Sequence, residues 1–592
     1  MKIRSFHVAF VIFGLSVPAA RASAECKIHR LAELPVTMAG LRPLVPAKIN
    51  GSDVLFIADS GAFYSMITPG TAAEQKLKRS PAPFELTVRG VGGNADVSVT
   101  TVKTFTLANV PLSNVEFLVG GNELGDGAAG VLGQNVLRIA DVEYDLANGA
   151  IRLMRPESCG KSELAYWAAS QPYSVMDIGY ASVLSPHTTG TASINGEKIR
   201  VMFDTGSAAS VLSLRAAERA GVKPGAAGVV AAGFWSGVGR RTIQTWIAPF
   251  SNFKIGDEEI RNTHLRIGDV EFDNADMLIG ADFFLSHHIY VASSQHKLYF
   301  TYNGGPVFNL TTSRQIQTRA NPEPEDPAKT EKVDEEPTDA ATFSRRGTAF
   351  AARRDFERAI ADLTRACELD PSEPKYFYER GVALLNNKQP YLAMADFDQA
   401  LKLNPDDVSA LVARAELRVI GRDNAQAKAD LDAADQFAPK EADVRFFIGA
   451  LYARAGMFAL AVAQYDLWIA AHSQDVRMAE AMNGRCWARA LWGQDLAKAL
   501  SDCNTALKLT PNSARALDSR GLVRLRMGDF DKSIADYDAA LRLQPKIAWS
   551  LYGRGLDKLR RGMTTEGQTD IAAATALQPL IAEEARKHGI GP

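Results

Sequence analysis

Apolar residues follow two different periodicities along the 592 residues of the chain, and the change between them lies near residue 320. In residues 30–310, Gly, Asn and Pro interrupt short apolar runs at intervals of about ten residues. This spacing is typical of the strands of an all-β barrel or sandwich. Helical periodicity appears there only in brief stretches such as TAAEQKLK and RAAERAG.

From residue 340 onward the apolar pattern is helical and recurs every 34 residues. The equivalent positions are Gly347, Gly381, Ala415 and Gly449; Ala359, Ala393, Ala427 and Ala461; and Pro371, Pro405 and Pro439. Four additional residues precede Pro511, after which the period resumes at Pro545 and Pro579. The pattern resembles the tetratricopeptide repeat, in which paired helices stack into a solenoid with a concave groove. We therefore expect about seven repeats in residues 340–592 and a protein partner in their groove.

The β-rich part contains one motif twice. PAKINGSDVLFIADSGAFYSMI and TASINGEKIRVMFDTGSAASVL superimpose at an offset of 145 residues, which places Asp59 on Asp204. Each copy has an Asn-Gly hairpin turn, an apolar strand, and Asp-Ser/Thr-Gly-Ala/Ser. Each copy later has two apolar residues and a glycine, ending at Gly133 or Gly280, and then a hairpin. The shared frame indicates two versions of one small β domain.

Each copy resembles a retropepsin-type aspartic protease domain. The resemblance implies that Asp59 and Asp204 form a catalytic pair that activates a water to cleave a protein or peptide substrate, without a cofactor or metal. It also implies that the Ser60 and Thr205 hydroxyls brace the two loops. The supporting residues of the two motifs are Ser60, Gly61, Ala62, Thr205, Gly206 and Ser207. Ser207 could hydrogen-bond its own carboxylate, whereas Ala62 has no hydroxyl.

The resemblance further identifies two glycine-bearing hairpins as flaps over the substrate. The candidate flap residues are Gly92, Gly93, Gly233, Phe234 and Trp235. For Trp235, substrate contact and ordinary packing are equally good interpretations. The two flaps share little sequence, so two alternatives to a shared active pair stay open. The fold could serve as a non-catalytic binding scaffold, or each half could pair with another chain.

The chain divides into six segments. They are a signal peptide at 1–24, β domain 1 at 25–159, a patternless connector at 160–186, β domain 2 at 187–318, an acidic Pro-rich flexible linker at 319–339 and the repeats at 340–592. The first segment has a basic start, an apolar stretch and a small-residue cleavage site, Ala22-Ser23-Ala24. Its apolar stretch is too short for a membrane-spanning helix, so we expect export, to a bacterial periplasm, without a stable membrane anchor.

Net charge, cysteines and histidines indicate which partners, disulfides and metal sites to expect. The net charge of -2 becomes -5 without the first 24 residues, because three basic residues and no acidic ones leave, and this argues against a nucleic-acid partner. We expect a disulfide between Cys26 and Cys159, which bracket the first β domain. Cys367, Cys486 and Cys503 are expected to be small buried thiols. His287 and His288 have no third metal ligand nearby in sequence, so we interpret them as hairpin residues.

Overall fold

The computed structural model describes residues 26–591 apart from 84–85, 87, 91–92, 123, 126, 170, 180–186, 238–241, 273, 309, 311–336 and 474. The expected signal peptide, most of the linker and Gly92 therefore lie outside the described residues. Within the described part of the chain, no helix combines the length and the apolar character needed to cross a membrane.

The first half is a β structure with short helical turns. Its strands are β1 (Lys27–Pro35), β2 (Thr37–Ala39), β3 (Arg42–Ile49), β4 (Ser52–Ala58), β5 (Met66–Ile67), β6 (Arg79–Pro81), β7 (Val88–Gly90), β8 (Gly93–Ala95), β9 (Val97–Leu107), β10 (Val110–Gly120), β11 (Ala128–Leu132), β12 (Asp141–Asp145) and β13 (Ala150–Glu157). Its helices are α1 (Pro69–Glu74), α2 (Gln134–Leu137) and the 3-10 helix η1 (Leu146–Asn148). Eight strands form a sheet in the order β2-β3-β4-β11-β5-β10-β9-β6, which an additional β3–β9 pairing closes into a barrel.

The second half repeats this barrel. Its strands are β14 (Ser174–Asp177), β15 (Thr189–Ile194), β16 (Glu197–Phe203), β17 (Val211–Ser213), β18 (Val230–Ser236), β19 (Thr242–Ile255), β20 (Glu258–Gly268), β21 (Met277–Ile279), β22 (His287–Ala292) and β23 (Lys297–Tyr302). Its helices are the 3-10 helix η2 (Tyr166–Ala168), α3 (Leu214–Arg219) and α4 (Ala281–Ser286). The order β15-β16-β21-β17-β20-β19 matches β3-β4-β11-β5-β10-β9 of the first half, and β15 pairs with β19 as β3 pairs with β9. The duplicated sequence motif thus corresponds to a duplicated barrel.

Both Asn-Gly turns have the backbone that their residues favour. Asn50 and Gly51 have φ of 51° and 92°, and Asn195 and Gly196 have 48° and 81°. Two consecutive positive φ values are those of a type I′ turn, whose twist matches the flanking strands. These turns set the register of β3 with β4 and of β15 with β16, the strands that lead to the two aspartates.

A third sheet joins the two halves and was not predicted from the sequence. Its six antiparallel strands run in the order β1-β13-β12-β22-β23-β14, with β12 of the first half paired to β22 of the second through Tyr144 and Ile289. The described part of residues 160–186, the segment assigned from the sequence as a patternless connector, contains η2 and the edge strand β14. This strand has only four residues, too few for the alternating pattern to be recognised.

The C-terminal part is a run of fifteen described helices, arranged as seven helix pairs and a final helix. They are α5 (Ala340–Ala352), α6 (Phe356–Leu369), α7 (Pro374–Asn386), α8 (Pro390–Leu403), α9 (Val408–Ile420), α10 (Asn424–Phe437), α11 (Arg445–Arg454), α12 (Phe458–Ala471), α13 (Met478–Trp492), α14 (Leu496–Leu509), α15 (Ala514–Met527), α16 (Phe530–Leu543), α17 (Ala548–Arg560), α18 (Thr564–Leu577) and α19 (Ile581–Lys587). The periodic small residues lie where paired helices cross, since a Cβ on Gly381 would come within 2.6 Å of the Phe397 ring. Close helix packing is therefore the reason for the 34-residue period of small residues.

The solenoid begins directly on the first β barrel. Ala349 of α5 is 1% exposed and belongs to the same apolar core as the two barrels. The Met38 backbone N–H donates to Thr348 Oγ1 at 3.3 Å, which joins β2 to α5. The repeats are thus held against the first barrel by packing as well as by the chain connection.

Two disulfides occur in the described residues. Cys26 is bonded to Cys159, which links the start of β1 to the segment after β13. The interpretation of Cys486 and Cys503 as free thiols was wrong, because they are bonded to each other. Their Cα atoms are 5.6 Å apart on the facing helices α13 and α14, within the range that a disulfide spans. Cys367 is a buried free thiol.

Candidate active site

Asp59 and Asp204 directly follow equivalent strands of the two barrels. The Asp59 backbone N–H donates to Leu132 O of β11, and the Asp204 N–H donates to Ile279 O of β21, each at 2.9 Å. The apolar-apolar-Gly segment of each motif copy therefore accepts a hydrogen bond from the backbone of the aspartate in the same copy. Protein encloses most of each aspartate, and a smaller part of its surface is open to solvent.

The fold brings the two aspartates into direct contact within one chain. The carboxyl groups share a hydrogen bond. A Cβ on Gly61 would lie 2.2 Å from Asp204 Cγ, and a Cβ on Gly206 would lie 2.2 Å from Asp59 Cγ. Each glycine thus lets its loop approach the opposite carboxyl, and any side chain there would push the pair apart.

Backbone N–H groups and the low-dielectric surroundings act on the pair in opposite directions. The Gly61 and Ala62 N–H groups donate to Asp59 Oδ1 at 2.9 and 2.8 Å, and the Gly206 N–H donates to Asp204 Oδ1 at 2.9 Å. Burial, followed by repulsion from the Asp204 charge, nevertheless raises the pKa of Asp59 well above its usual range. Burial also raises the pKa of Asp204. The pair therefore retains one proton at a pH where isolated aspartates would both be ionised.

Four hydrogen bonds connect the two aspartate loops through Ser60 and Thr205. Ser60 Oγ accepts from the Thr205 N–H at 2.9 Å and donates to Phe203 O at 3.2 Å. Thr205 Oγ1 accepts from the Ser60 N–H at 3.0 Å and donates to Ala58 O at 2.7 Å. Ser60 is 3% exposed and Thr205 is fully buried. Because every bond crosses between the halves, this network fixes the distance between the aspartates.

A second pair of serines, which the sequence reasoning missed, holds the glycine that follows each apolar segment. Ser65 Oγ accepts from the Gly133 N–H at 3.0 Å and donates to Asn135 Oδ1 at 2.9 Å. In the other half, Ser210 Oγ accepts from Gly280 at 2.9 Å and donates to Asp282 at 2.7 Å. The signal was available, since each serine lies six residues after its aspartate in both motif copies.

The halves differ at the fourth motif position. The Ser207 hydroxyl donates to Ala209 O at 3.0 Å. Its single proton is used in this bond, so Ser207 does not donate its hydroxyl to the Asp204 carboxylate. Ala62 has no hydroxyl, and its carbonyl accepts from the Gln134 N–H at 2.8 Å.

Of the predicted flap residues that the structure describes, Phe234 is the most exposed. Phe234 is 70% exposed on the β18–β19 hairpin, beside a register shift at Gly233, whose φ is 85°. Trp235 packs partly buried against Val211, Ile243 and Val270, which agrees with the packing interpretation. Gly93 has a φ of 103° in the small β7–β8 hairpin.

Two further side chains next to the aspartate loops have no signal in the duplicated motif. Tyr144 is buried and its phenol hydrogen-bonds Ser60; burial raises the pKa of this phenol. His187 Nε2 lies 2.9 Å from Gly61 O. His187 comes from the segment that the sequence assigned only as the start of the second domain.

The junction between the halves contains a buried charged cluster, in which His288 of the β22–β23 hairpin meets carboxylates that are distant in sequence. His288 Nε2 lies 3.0 Å from Glu143 Oε1, and Asp145 is also within ion-pair distance. These three groups are close enough to hold a cation. Arg152 already pairs with both carboxylates, at 2.6 and 3.1 Å, so the positive charge that they require is supplied by the protein.

Opposing effects set the charges of this cluster. Burial alone would raise the pKa of Glu143, but hydrogen bonding and attraction from His288, with contributions from Tyr166 and Arg152, lower this pKa to about 2. Burial likewise opposes protonation of His288, but Asp145 and Glu143 raise the pKa of the imidazole. His288 also stacks on Trp167, with ring centroids 4.5 Å apart.

Comparisons with known proteins agree with both parts of this architecture. Residues 45–136 match an aspartyl protease family model, and residues 190–286 match the gag-polyprotein aspartyl protease family. The tetratricopeptide repeat family matches residues 344–408, 487–548 and 519–561. A search of curated proteins found no match.

Solved structures similar to the chain include repeat proteins. YrrB, described as a tetratricopeptide repeat protein with an unusual peptide-binding site, shares 19% identity over 32% of this chain and 97% of its own, with a TM-score of 0.28. A tetratricopeptide repeat protein from Parabacteroides merdae shares 17% identity over 42% of this chain and 98% of its own, with a TM-score of 0.35. The family matches and the fold together show a chain with two aspartyl protease domains in tandem, followed by tetratricopeptide repeats.

Proposed function

We propose that this protein is an exported aspartic endopeptidase in which Asp59 and Asp204 activate the attacking water and the repeats recruit protein substrates. One observation carries the catalytic part of the proposal. The carboxyls of Asp59 and Asp204 share a hydrogen bond within a single chain, where burial keeps one proton on the pair. A second chain is therefore unnecessary to complete the site.

The pair can supply both an acid and a base to one peptide bond. The ionised carboxyl takes a proton from a water as its oxygen attacks the peptide carbonyl carbon, while the protonated carboxyl donates to the carbonyl oxygen. Collapse of the resulting diol breaks the C–N bond: the protonated carboxyl gives its proton to the leaving nitrogen, and the other carboxylate takes a proton from a diol hydroxyl, which becomes the carbonyl of the product. The products are a carboxylic acid and an amine, and the pair again holds one proton.

Cleavage of a peptide library by the chain from residue 25 onward tests the catalytic proposal. We expect Asp59→Asn and Asp204→Asn each to abolish cleavage, because each removes the acid–base pair. Asp53→Asn is the matched control, since Asp53 lies on the strand that leads to Asp59 and its side chain is 84% exposed. Cleavage by the single variants at the rate of the control would refute the shared pair. Absence of cleavage by the unmodified chain across pH 3–8, a range of about five units around carboxyl titration, would favour the non-catalytic scaffold.

The disulfides support the proposal of export. Cys26–Cys159 and Cys486–Cys503 lie in different domains, and disulfides persist mainly in oxidising compartments such as the bacterial periplasm. We expect the mature chain to be recovered from the periplasmic fraction of a bacterial host with Glu25 at its N-terminus. N-terminal sequencing that finds Met1 on the cytoplasmic protein would contradict export through residues 1–24.

The solenoid supports substrate recruitment, because tetratricopeptide repeats indicate protein or peptide binding. A chain ending at residue 439 keeps α5 on the first barrel and retains three helix pairs, about the minimum for a stable repeat array. We expect this truncation to spare cleavage of short peptides and to weaken cleavage of large protein substrates. Equal loss with both kinds of substrate would contradict a recruiting role.

A further inference from the structure

His187 contacts the aspartate site from outside the duplicated motif. Its Nε2 atom lies 2.9 Å from Gly61 O, although Gly61 belongs to the first half and His187 to the second. A carbonyl oxygen only accepts hydrogen bonds, so Nε2 must carry the hydrogen. His187 is thus a donor that connects the halves beside the aspartate pair.

The backbone fixes His187 close to Asp204. The neighbouring Thr188 is buried, and Thr188 O accepts from the Phe203 N–H at 3.0 Å. Phe203 directly precedes Asp204. The backbone next to His187 is therefore bonded to β16, which leads to Asp204, while the His187 imidazole bonds the loop that carries Asp59.

The hydrogen bond from His187 holds the Gly61 peptide, which packs directly against the Asp204 carboxyl. Gly61 approaches Asp204 so closely that even a methyl group would not fit between them. A displacement of the Gly61 peptide therefore changes the space and the N–H donors available to the pair. The carbonyls on either side of Gly61 also accept hydrogen bonds. The Gln134 side chain donates to Ser60 O at 2.6 Å, and the Gln134 backbone N–H donates to Ala62 O.

The aligned position of the first half, which is among the described residues, holds a different residue with a different partner. Arg42 occupies the position 145 residues before His187, in the frame that relates the two motif copies, and its guanidinium donates to Leu124 O. The histidine therefore distinguishes the two halves at this aligned position.

We propose that His187 is a positioning residue for the proposed cleavage, which holds the Gly61 carbonyl and, when protonated on both nitrogens, places a positive charge beside the aspartate pair. The inference rests on the proposed function. Burial raises the pKa of Asp204; the hydrogen bonds from Asp59 and from the Gly206 N–H oppose this effect most, and attraction from His187 opposes it further. A cation at this place favours the singly ionised pair over the doubly protonated pair, so it extends activity toward lower pH.

The test compares pH profiles of kcat/KM for the full mature chain and its variants on one peptide substrate. His187→Gln keeps an amide N–H that can donate to Gly61 O but removes the charge, whereas His187→Ala removes both. We expect the acid limb to move to higher pH in both variants, with activity at the midpoint of the unmodified acid limb reduced about threefold or more. At the optimum, Gln is expected to retain most of the activity, whereas Ala loses about tenfold because the Gly61 peptide is no longer held.

The control is His264→Gln, because His264 is an exposed residue of β20. An acid limb of His187→Gln that coincides with that of the unmodified protein and the control would overturn the proposal. A kcat/KM of His187→Ala at the pH optimum equal to that of the unmodified protein would also overturn the positioning role. Infrared spectroscopy gives a readout that does not depend on cleavage. The absorption band of the protonated carboxyl of the pair is identified by its loss in Asp59→Asn. Its titration is expected to move to higher pH in His187→Gln, even in a protein that cleaves no peptide, and an unchanged titration would contradict the inference.

Discussion

The hydrogen bonds between Ser60 and Thr205 predict a specific and local loss of stability. Thr205→Val replaces the hydroxyl with a methyl group of similar size in a site that is 0% exposed. The change leaves the Ser60 N–H and the Ala58 carbonyl without partners in the protein interior. An unpaired buried group costs about 1–3 kcal/mol, so the two together are expected to cost about 2–5 kcal/mol.

Thr100→Val is the matched control. Thr100 is also buried, at 2% exposure, but its hydroxyl makes a single bond to Lys78 O at 2.8 Å within the first half. We expect this control to cost about 1 kcal/mol, because one hydrogen bond is lost and no contact between the halves changes.

Hydrogen exchange measured by mass spectrometry gives the local readout. In Thr205→Val, the amides of residues 58–62 and 203–207 are expected to exchange about thirtyfold faster or more, which corresponds to about 2 kcal/mol. The Ser60→Ala and Thr205→Val changes are expected to be less than additive, because they act on one network. Exchange in Thr205→Val no faster than in Thr100→Val would refute the reasoning that these bonds hold the halves together.

Three further results are expected. Gly206→Ala should reduce cleavage by about a hundredfold with little loss of secondary structure, because its Cβ would fall 2.2 Å from Asp59 Cγ, and unchanged kcat/KM would contradict the close approach. Glu143→Gln should lower the free energy of unfolding by about 3 kcal/mol at pH 6, because the pKa of Glu143 in the folded protein is about 2. This difference should vanish as the pH falls from about 4 to 2, since the carboxyl of the unmodified protein is then protonated as well. Replacement of Cys486 and Cys503 by Ala should cost about 3 kcal/mol in urea unfolding of the repeats under oxidising conditions, and much less in the presence of a reductant, where the unmodified protein has also lost the bond.

The sequence was most informative where a local pattern repeats. The offset of 145 residues identified equivalent aspartates, and their strands do occupy equivalent places in two barrels. The 34-residue period identified helix pairs because each pair must bring a small residue to the crossing, as Gly381 does against Phe397. Patterns of this kind depend on contacts between neighbouring strands or helices, which leave a periodic signal.

Contacts between distant segments were not predictable in this way. The pairing of β12 with β22 joins Glu143 to His288, which lie in the hairpins that follow Gly133 and Gly280. The duplication indicates that these hairpins are equivalent, but it does not show that they pair with each other. In the sequence, Glu143 is one polar position in a short strand, and His288 follows another histidine in a hairpin. Only the sheet between the halves shows that they form a buried ion pair. The Cys486–Cys503 bond was missed for a related reason, because it depends on how two helices face each other.

The duplication within one chain has a chemical consequence that a pair of identical chains lacks. In a symmetric dimer the two aspartates have identical surroundings, so the shared proton has no preferred side. Here Ala62 and Ser207 occupy equivalent positions of the two motif copies, and attraction from His187 acts to lower the pKa of Asp204 against the larger effect of burial. The two carboxyls can therefore differ in their affinity for the proton, and divergence of the halves can assign one of them to the acid step and the other to the base step.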